Sequence, residues 1–146
     1  MPGAMPGTVP PTIILFAHGS SVAEANEAVA RVARELAARS RCPAIAAFLE
    51  KAHPDLASAI AQAVRAGAFR VIIVPYFLTM GIHISKDLPE LARQQQALFP
   101  GLDVKIALPM EGHPLLLEVL LDRMIAAVGA PEDTPEDSGS TGKSAL

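Results

Sequence analysis

Tryptophan is missing from this chain, tyrosine and cysteine occur once each, and aromatic residues make up 4% of its 146 positions. With 12 Lys+Arg against 15 Asp+Glu, the formal charge is -3. A surface with neither a basic excess nor aromatic platforms cannot neutralise a phosphate backbone or stack on bases, so nucleic acid is excluded as a partner. Cys42, being alone, can form neither an intrachain disulfide nor a thiolate zinc cluster, which suits a reducing compartment. No apolar run approaches the ~20 residues that cross a bilayer, so no membrane partner is expected. The Pro/Gly-rich stretch Met1 to Thr12 has no Lys or Arg and no small-residue cleavage site after it. It does not read as a secretory signal, and the expected location is the cytoplasm.

What the chain does have is apolar material, at 51% hydrophobic residues, and a regular alternation of patterns. Residues 1–11 and 130–146 are rich in Pro, Gly, Ser and acidic residues and read as disordered tails around one domain at 12–129. Thr12 to Ala17 (TIILFA) is a short β-branched and aromatic run. Ala23 to Arg39 then carries Ala25, Val29, Val32 and Leu36 at helical spacing behind a capping-box pattern, Ser21-x-x-Glu24. Ala44 to Leu49 is a second strand, followed by a helix with Pro54 in its first turn and Gly67 as its stop. Arg70 to Leu78 is the third strand, and its helix runs from about Asp87 to Phe99, closed by Pro100-Gly101. Asp103 to Pro109 and Pro114 to Val128 make the fourth pair.

Repeated βα units imply an α/β fold: an open parallel sheet of about four strands with helices on both faces, since parallel neighbours require right-handed crossovers. In the flavodoxin-like order 2-1-3-4 the topological switch lies between strands one and three, and ligands bind outside the carboxyl ends of those strands. The last helix is apolar over more than one stripe, from Leu115 through Val128. A second apolar face implies a subunit interface, with burial under the C-terminal tail as the alternative.

Each of the four histidines follows a strand, so His18, His53, His83 and His113 all fall on one rim. His18 and His83 flank the switch point, and Glu50, at the end of strand two, faces the same space. Two neutral imidazoles and a carboxylate suit a divalent first-row metal such as iron, cobalt, nickel or zinc. The plainer alternative for His18 and His83 is a hydrogen bond to backbone, and for Glu50 a solvated strand end. His53 and His113 each precede a proline where a helix N-cap belongs, so capping is favoured over ligation for both.

Three patterns mislead. Gly139 to Ser144 looks like part of a phosphate-binding loop, but Asp137 stands where the pattern needs glycine, and no strand or helix flanks it. His18-Gly19-Ser20 is like an oxyanion turn, yet no G-x-S-x-G elbow supplies a nucleophile. The first turn also lacks the G-x-G-x-x-G of dinucleotide sites.

Taken in order, a set of pieces resembles the small single-domain sirohydrochlorin chelatases of CbiX or SirB type. They are Ala17-His18-Gly19-Ser20 with Glu24-Ala25-Asn26; Ala47-Phe48-Leu49-Glu50 with Pro54-Asp55-Leu56; Gly67-Ala68 leading into Val71 to Leu78 around Pro75; Gly81-x-His83 with Asp87-Leu88-Pro89; and Gly112-His113-Pro114-Leu115. The resemblance spans about Ile13 to Arg123. It implies a chelatase-like fold, insertion of Co²⁺ or Fe²⁺ into sirohydrochlorin in cobalamin or sirohaem synthesis, and a homodimer. His18 and His83 match the family's metal-binding histidines, and Glu50 its active-site glutamate. Many relatives carry an Arg-Asp pair after the His-Gly-Ser turn; here Ser21-Val22 stands instead, and there is no histidine-rich extension.

The expected mechanism has His18 and His83 presenting the metal, a substrate that can be Co²⁺, Fe²⁺ or Ni²⁺, while Glu50 assists proton removal or metal delivery. Backbone N–H groups of Gly19 and Ser20, together with Lys86, would hold substrate carboxylates. No tightly bound cofactor is expected. The rivals are a non-catalytic module that binds or delivers a metal or a tetrapyrrole, and a metal-dependent hydrolase.

Overall fold

A computed structural model describes residues 9–130. The expected tails therefore lie almost wholly outside the described residues, as does the loop-like segment at Gly139. The described chain falls into two compact units, one ending at Glu111 and one beginning at Gly112.

The first unit holds β1 (Thr12–Ala17), α1 (Ala23–Ser40), β2 (Ala44–Phe48), α2 (Leu56–Arg65), β3 (Arg70–Tyr76), α3 (Gly81–Leu98) and β4 (Asp103–Ile106). The four strands are parallel, as the alternation of patterns predicts, and their order is β2-β1-β3-β4, the flavodoxin-like one. Every residue of β1 is buried, the mark of a central strand covered on both faces. Successive strand residues point to opposite faces, so Ile14 and Phe16 share one side of the sheet. There they join Val71, Ile73 and Val104 with Ile60 of α2 and Leu88 of α3 in the main core. Ile60 has no exposed surface, so truncating it to alanine would cost about 2–5 kcal/mol.

Three local expectations need correction. The Ser21-x-x-Glu24 capping box does not form: the N-cap of α1 is Val22, with no side-chain cap, and Ser21 is exposed. The hydroxyl that acts nearby is that of Ser20, whose Oγ accepts from Val22 N–H at 3.0 Å. His53 does not cap α2, and Pro54 lies before the helix. Asp55 is the N-cap, accepting from Ser58 N–H at 2.8 Å. That backbone hydrogen bond stabilises the carboxylate and lowers the Asp55 pKa. Finally, α3 begins at Gly81 rather than near Asp87, and Pro89 lies inside it. Proline there removes one helical bond, to the carbonyl of Ser85. Both residues are exposed, so water can satisfy that carbonyl and the helix continues through.

The second unit contains α4 (Pro114–Gly129). Pro114 occupies its first turn, and His113 is the N-cap, with Nδ1 accepting from Leu115 N–H at 3.1 Å. This is the structural role expected of His113. None of the α4 residues is buried, and Leu117, Leu120, Met124 and Ile125 are all exposed.

Candidate functional site

The rim at the carboxyl ends of the strands is organised by a ladder that outlasts its strands. In register, Ala17 lies opposite Phe48 on one side and Tyr76 on the other. Beyond those ends, Leu49 N–H still donates to the Ala17 carbonyl at 2.9 Å, and Glu50 N–H to that of His18 at 3.0 Å. His18 and Glu50 thus emerge side by side at the switch point, with His18 Nδ1 3.5 Å from Glu50 Oε1. Both side chains are more than half exposed, at 58% and 51%. A metal or substrate can reach them, and solvent screens the pair.

Gly19 follows with φ +91°. A Cβ at this position would sit 1.9 Å from the Glu50 carbonyl oxygen, so only glycine lets the first turn press against the end of β2. Ser20 is clasped by Asn26 of α1: its N–H donates to Asn26 Oδ1 at 2.9 Å, and its carbonyl accepts from Asn26 Nδ2 at 2.8 Å. The Ser20 N–H is therefore already committed, contrary to the expectation that it receives a substrate carboxylate.

His83 stands in the first turn of α3, not in a loop after β3, and is exposed. Lys86 lies three residues on, also exposed, and so shares its helix face. Lys86, Ile82 and Ser85 line an open cavity of about 570 Å³ together with Met80, Gly81 and Glu111. At its edge Glu111 Oε2 accepts from Met80 N–H at 3.4 Å, tying the β4 loop to the start of α3. His53 sits elsewhere, in a separate groove with Phe48, Asn26 and Gln62.

The structure therefore brings His18 and Glu50 together. Among the described residues, it gathers no group of three or more His, Cys, Asp or Glu able to hold a metal. The parts that three residues play in this rim escaped sequence reasoning. Phe77 packs edge-on against His18, with centroids 6.4 Å apart, and against Phe16 at 5.7 Å. Glu111 braces α3, and Asn26 braces the first turn. Only Asn26 left a signal, since asparagine is a poor helix former in a first turn that lacks a capping role for it.

The CbiX family model matches residues 12–127. The chain belongs to the CbiX family. This CbiX chain is 33% identical over 113 residues to the chloroplastic sirohydrochlorin ferrochelatase of Arabidopsis thaliana, covering 77% of this chain and 50% of that protein. It is 32% identical over 80 residues to the sirohydrochlorin cobaltochelatase of Methanocaldococcus jannaschii, covering 54% and 56%. Among solved structures it is similar to the cobalamin biosynthesis CbiX protein of Marinobacter aquaeolei, at 30% identity and TM-score 0.71, covering 82% of this chain and 98% of that one. SirB of Bacillus subtilis shares the fold, with TM-score 0.73 at 24% identity. The CbiX chain spans about half the length of the first two relatives. No helix among its described residues is long and apolar enough to cross a membrane.

Proposed function

We propose that this chain is a chelatase that inserts Co²⁺ or Fe²⁺ into sirohydrochlorin. The observation that carries the reading is the exposed His18–Glu50 pair at the switch point of a CbiX-family sheet. The activities named for the Arabidopsis and Methanocaldococcus relatives support it.

Insertion requires the cation to shed ligands and two pyrrole N–H protons to leave as the four ring nitrogens close around it. A strong protein site would oppose transfer. Among the described residues no three such donors gather, so the His18–Glu50 pair makes a loose site that the macrocycle can outcompete. A neutral imidazole ligates a metal and, with an unperturbed pKa of about 6.5, also accepts protons near neutrality. In this mechanism His18 and His83 present the metal substrate from one face of the ring. Glu50, beside His18, takes up protons or steadies the incoming cation. Lys86 and the Gly19–Ser20 turn hold peripheral carboxylates, Ser20 through its hydroxyl since its N–H is bonded within the chain. No resident cofactor is assigned.

The same reading makes the protein a cytoplasmic homodimer. The matched region covers half of the Arabidopsis relative's length, and α4 offers exposed apolar surface for a second copy.

The test is anaerobic incubation with sirohydrochlorin and Co²⁺ or Fe²⁺, followed by absorbance. Many products per chain are expected. Exactly stoichiometric product would instead favour a holding or delivery module, and absence of product with either metal would overturn the proposal.

A further inference from the structure

We infer that Asn26 is a positioning residue for the His18–Glu50 pair, locking the turn that aims His18 at the rim. The inference rests on the chelatase reading for its effect on turnover.

The side chains of His18 and Glu50 are more than half exposed and 3.5 Å apart. A contact of that length between solvated groups is too weak to orient an imidazole by itself. What aims His18 is its main chain. On one side that main chain is held by β2, through the bond from Glu50 N–H to the His18 carbonyl and the close approach at Gly19. On the other side the chain turns away into α1, and there the Asn26 side chain bonds both main-chain groups of Ser20. Its carboxamide matches a peptide group, one acceptor and one donor, and so replaces the partner strand the turn lacks.

Helix capping does not account for this arrangement. The N-cap of α1 is Val22, and the Asn26 amide reaches back six residues to Ser20 rather than to a helical N–H. The groups it satisfies are two residues from His18. Losing them frees the turn between Gly19 and α1 while the core beneath, Ile14 to Phe16, stays buried. Misplacing a reacting group by about an ångström can cost on the order of a hundredfold in rate. Asn26 touches neither metal nor macrocycle in this scheme, so its loss should act mainly on kcat, with a smaller rise in KM for the tetrapyrrole because the Ser20 it steadies holds a substrate carboxylate.

Two full-length variants test it. Asn26→Ala removes both bonds. Asn26→Asp keeps the acceptor for Ser20 N–H and loses the donor to the Ser20 carbonyl. The readouts are kcat and KM for Co²⁺ insertion, Co²⁺ affinity from its visible absorption with a His18→Ala control, and hydrogen exchange of the Ser20 amide. Expected are a fall in kcat of about ten- to a hundredfold for Asn26→Ala, a smaller fall for Asn26→Asp, weaker Co²⁺ binding in the same order, and faster Ser20 exchange in the alanine variant. A lowered melting temperature with kcat and Co²⁺ affinity unchanged well below it would make Asn26 merely structural and overturn the inference. Should Asn26→Ala not fold, unchanged kcat and Co²⁺ affinity in Asn26→Asp would overturn it equally. Wild-type protein that binds Co²⁺ but never inserts it would sink the chelatase reading alone, leaving the binding and exchange measurements to decide the role of Asn26.

Discussion

The turns after β1 and β3 each bring one histidine to the same rim, and they are held in very different ways. The His18 turn is clasped between two elements: Glu50 N–H bonds its carbonyl, Gly19 presses on the β2 end, and Asn26 bonds Ser20 twice. The His83 turn begins a helix without a side-chain cap; Met80 N–H reaches Glu111 at 3.4 Å, and the Met80 side chain is buried in the core. One imidazole is therefore carried by a turn bonded on both sides and the other by a helix start without a side-chain cap. In the proposed chelatase scheme this would divide the two roles: His18 would define where the cation sits, and His83 would let it go.

The sharpest way to break this contrast is Gly19→Ala. The added methyl meets the Glu50 carbonyl, and φ +91° is unfavourable for alanine, so a loss of about 3 kcal/mol or more is expected. Urea denaturation would measure it, and insertion should fail with it. Next in size is the chemistry itself. His18→Ala should reduce insertion about a hundredfold, the range for loss of a positioned acid–base group. His83→Ala should cost about tenfold, or roughly 1.4 kcal/mol. Steady-state rates on folded variants would rank them, and equal losses would erase the distinction between the two turns. The smallest effect belongs to Gly81→Ala. Here φ is +66° but nothing lies within 4 Å of the added methyl, so the backbone term alone remains, about 1 kcal/mol. A Gly81 variant as damaged as the Gly19 one would mean that the β3 turn is clasped too.

Much of this architecture was legible from residues alone. TIILFA and RVIIVPYFL announce central strands because a parallel strand buried on both faces needs continuous apolar character, and β1 is buried throughout. The parallel sheet followed from the βα alternation, and His113 reads as a cap from its place before Pro114. The errors arose where one local signal stood for another. Ser21 and Glu24 satisfy a capping pattern, but the turn uses Ser20 and Asn26 instead. The third helix, read as starting near Asp87, begins at Gly81 and runs through the exposed Pro89.

By itself, then, the order of residues determined which segments are strands and helices, that the sheet is parallel, and that His18 leaves it at the carboxyl end of β1. Those outcomes depend on periodicity, turn residues and chain connectivity, all of which are local. Only the tertiary structure decided that Glu50 stands beside His18, that Phe77 backs its ring, and that Asn26 clasps Ser20 while Glu111 reaches Met80. Periodicity says which face of an element is buried but not what arrives to cover it. A hydrogen bond across the fold depends on register and distance, which exist only once the sheet has brought distant turns together.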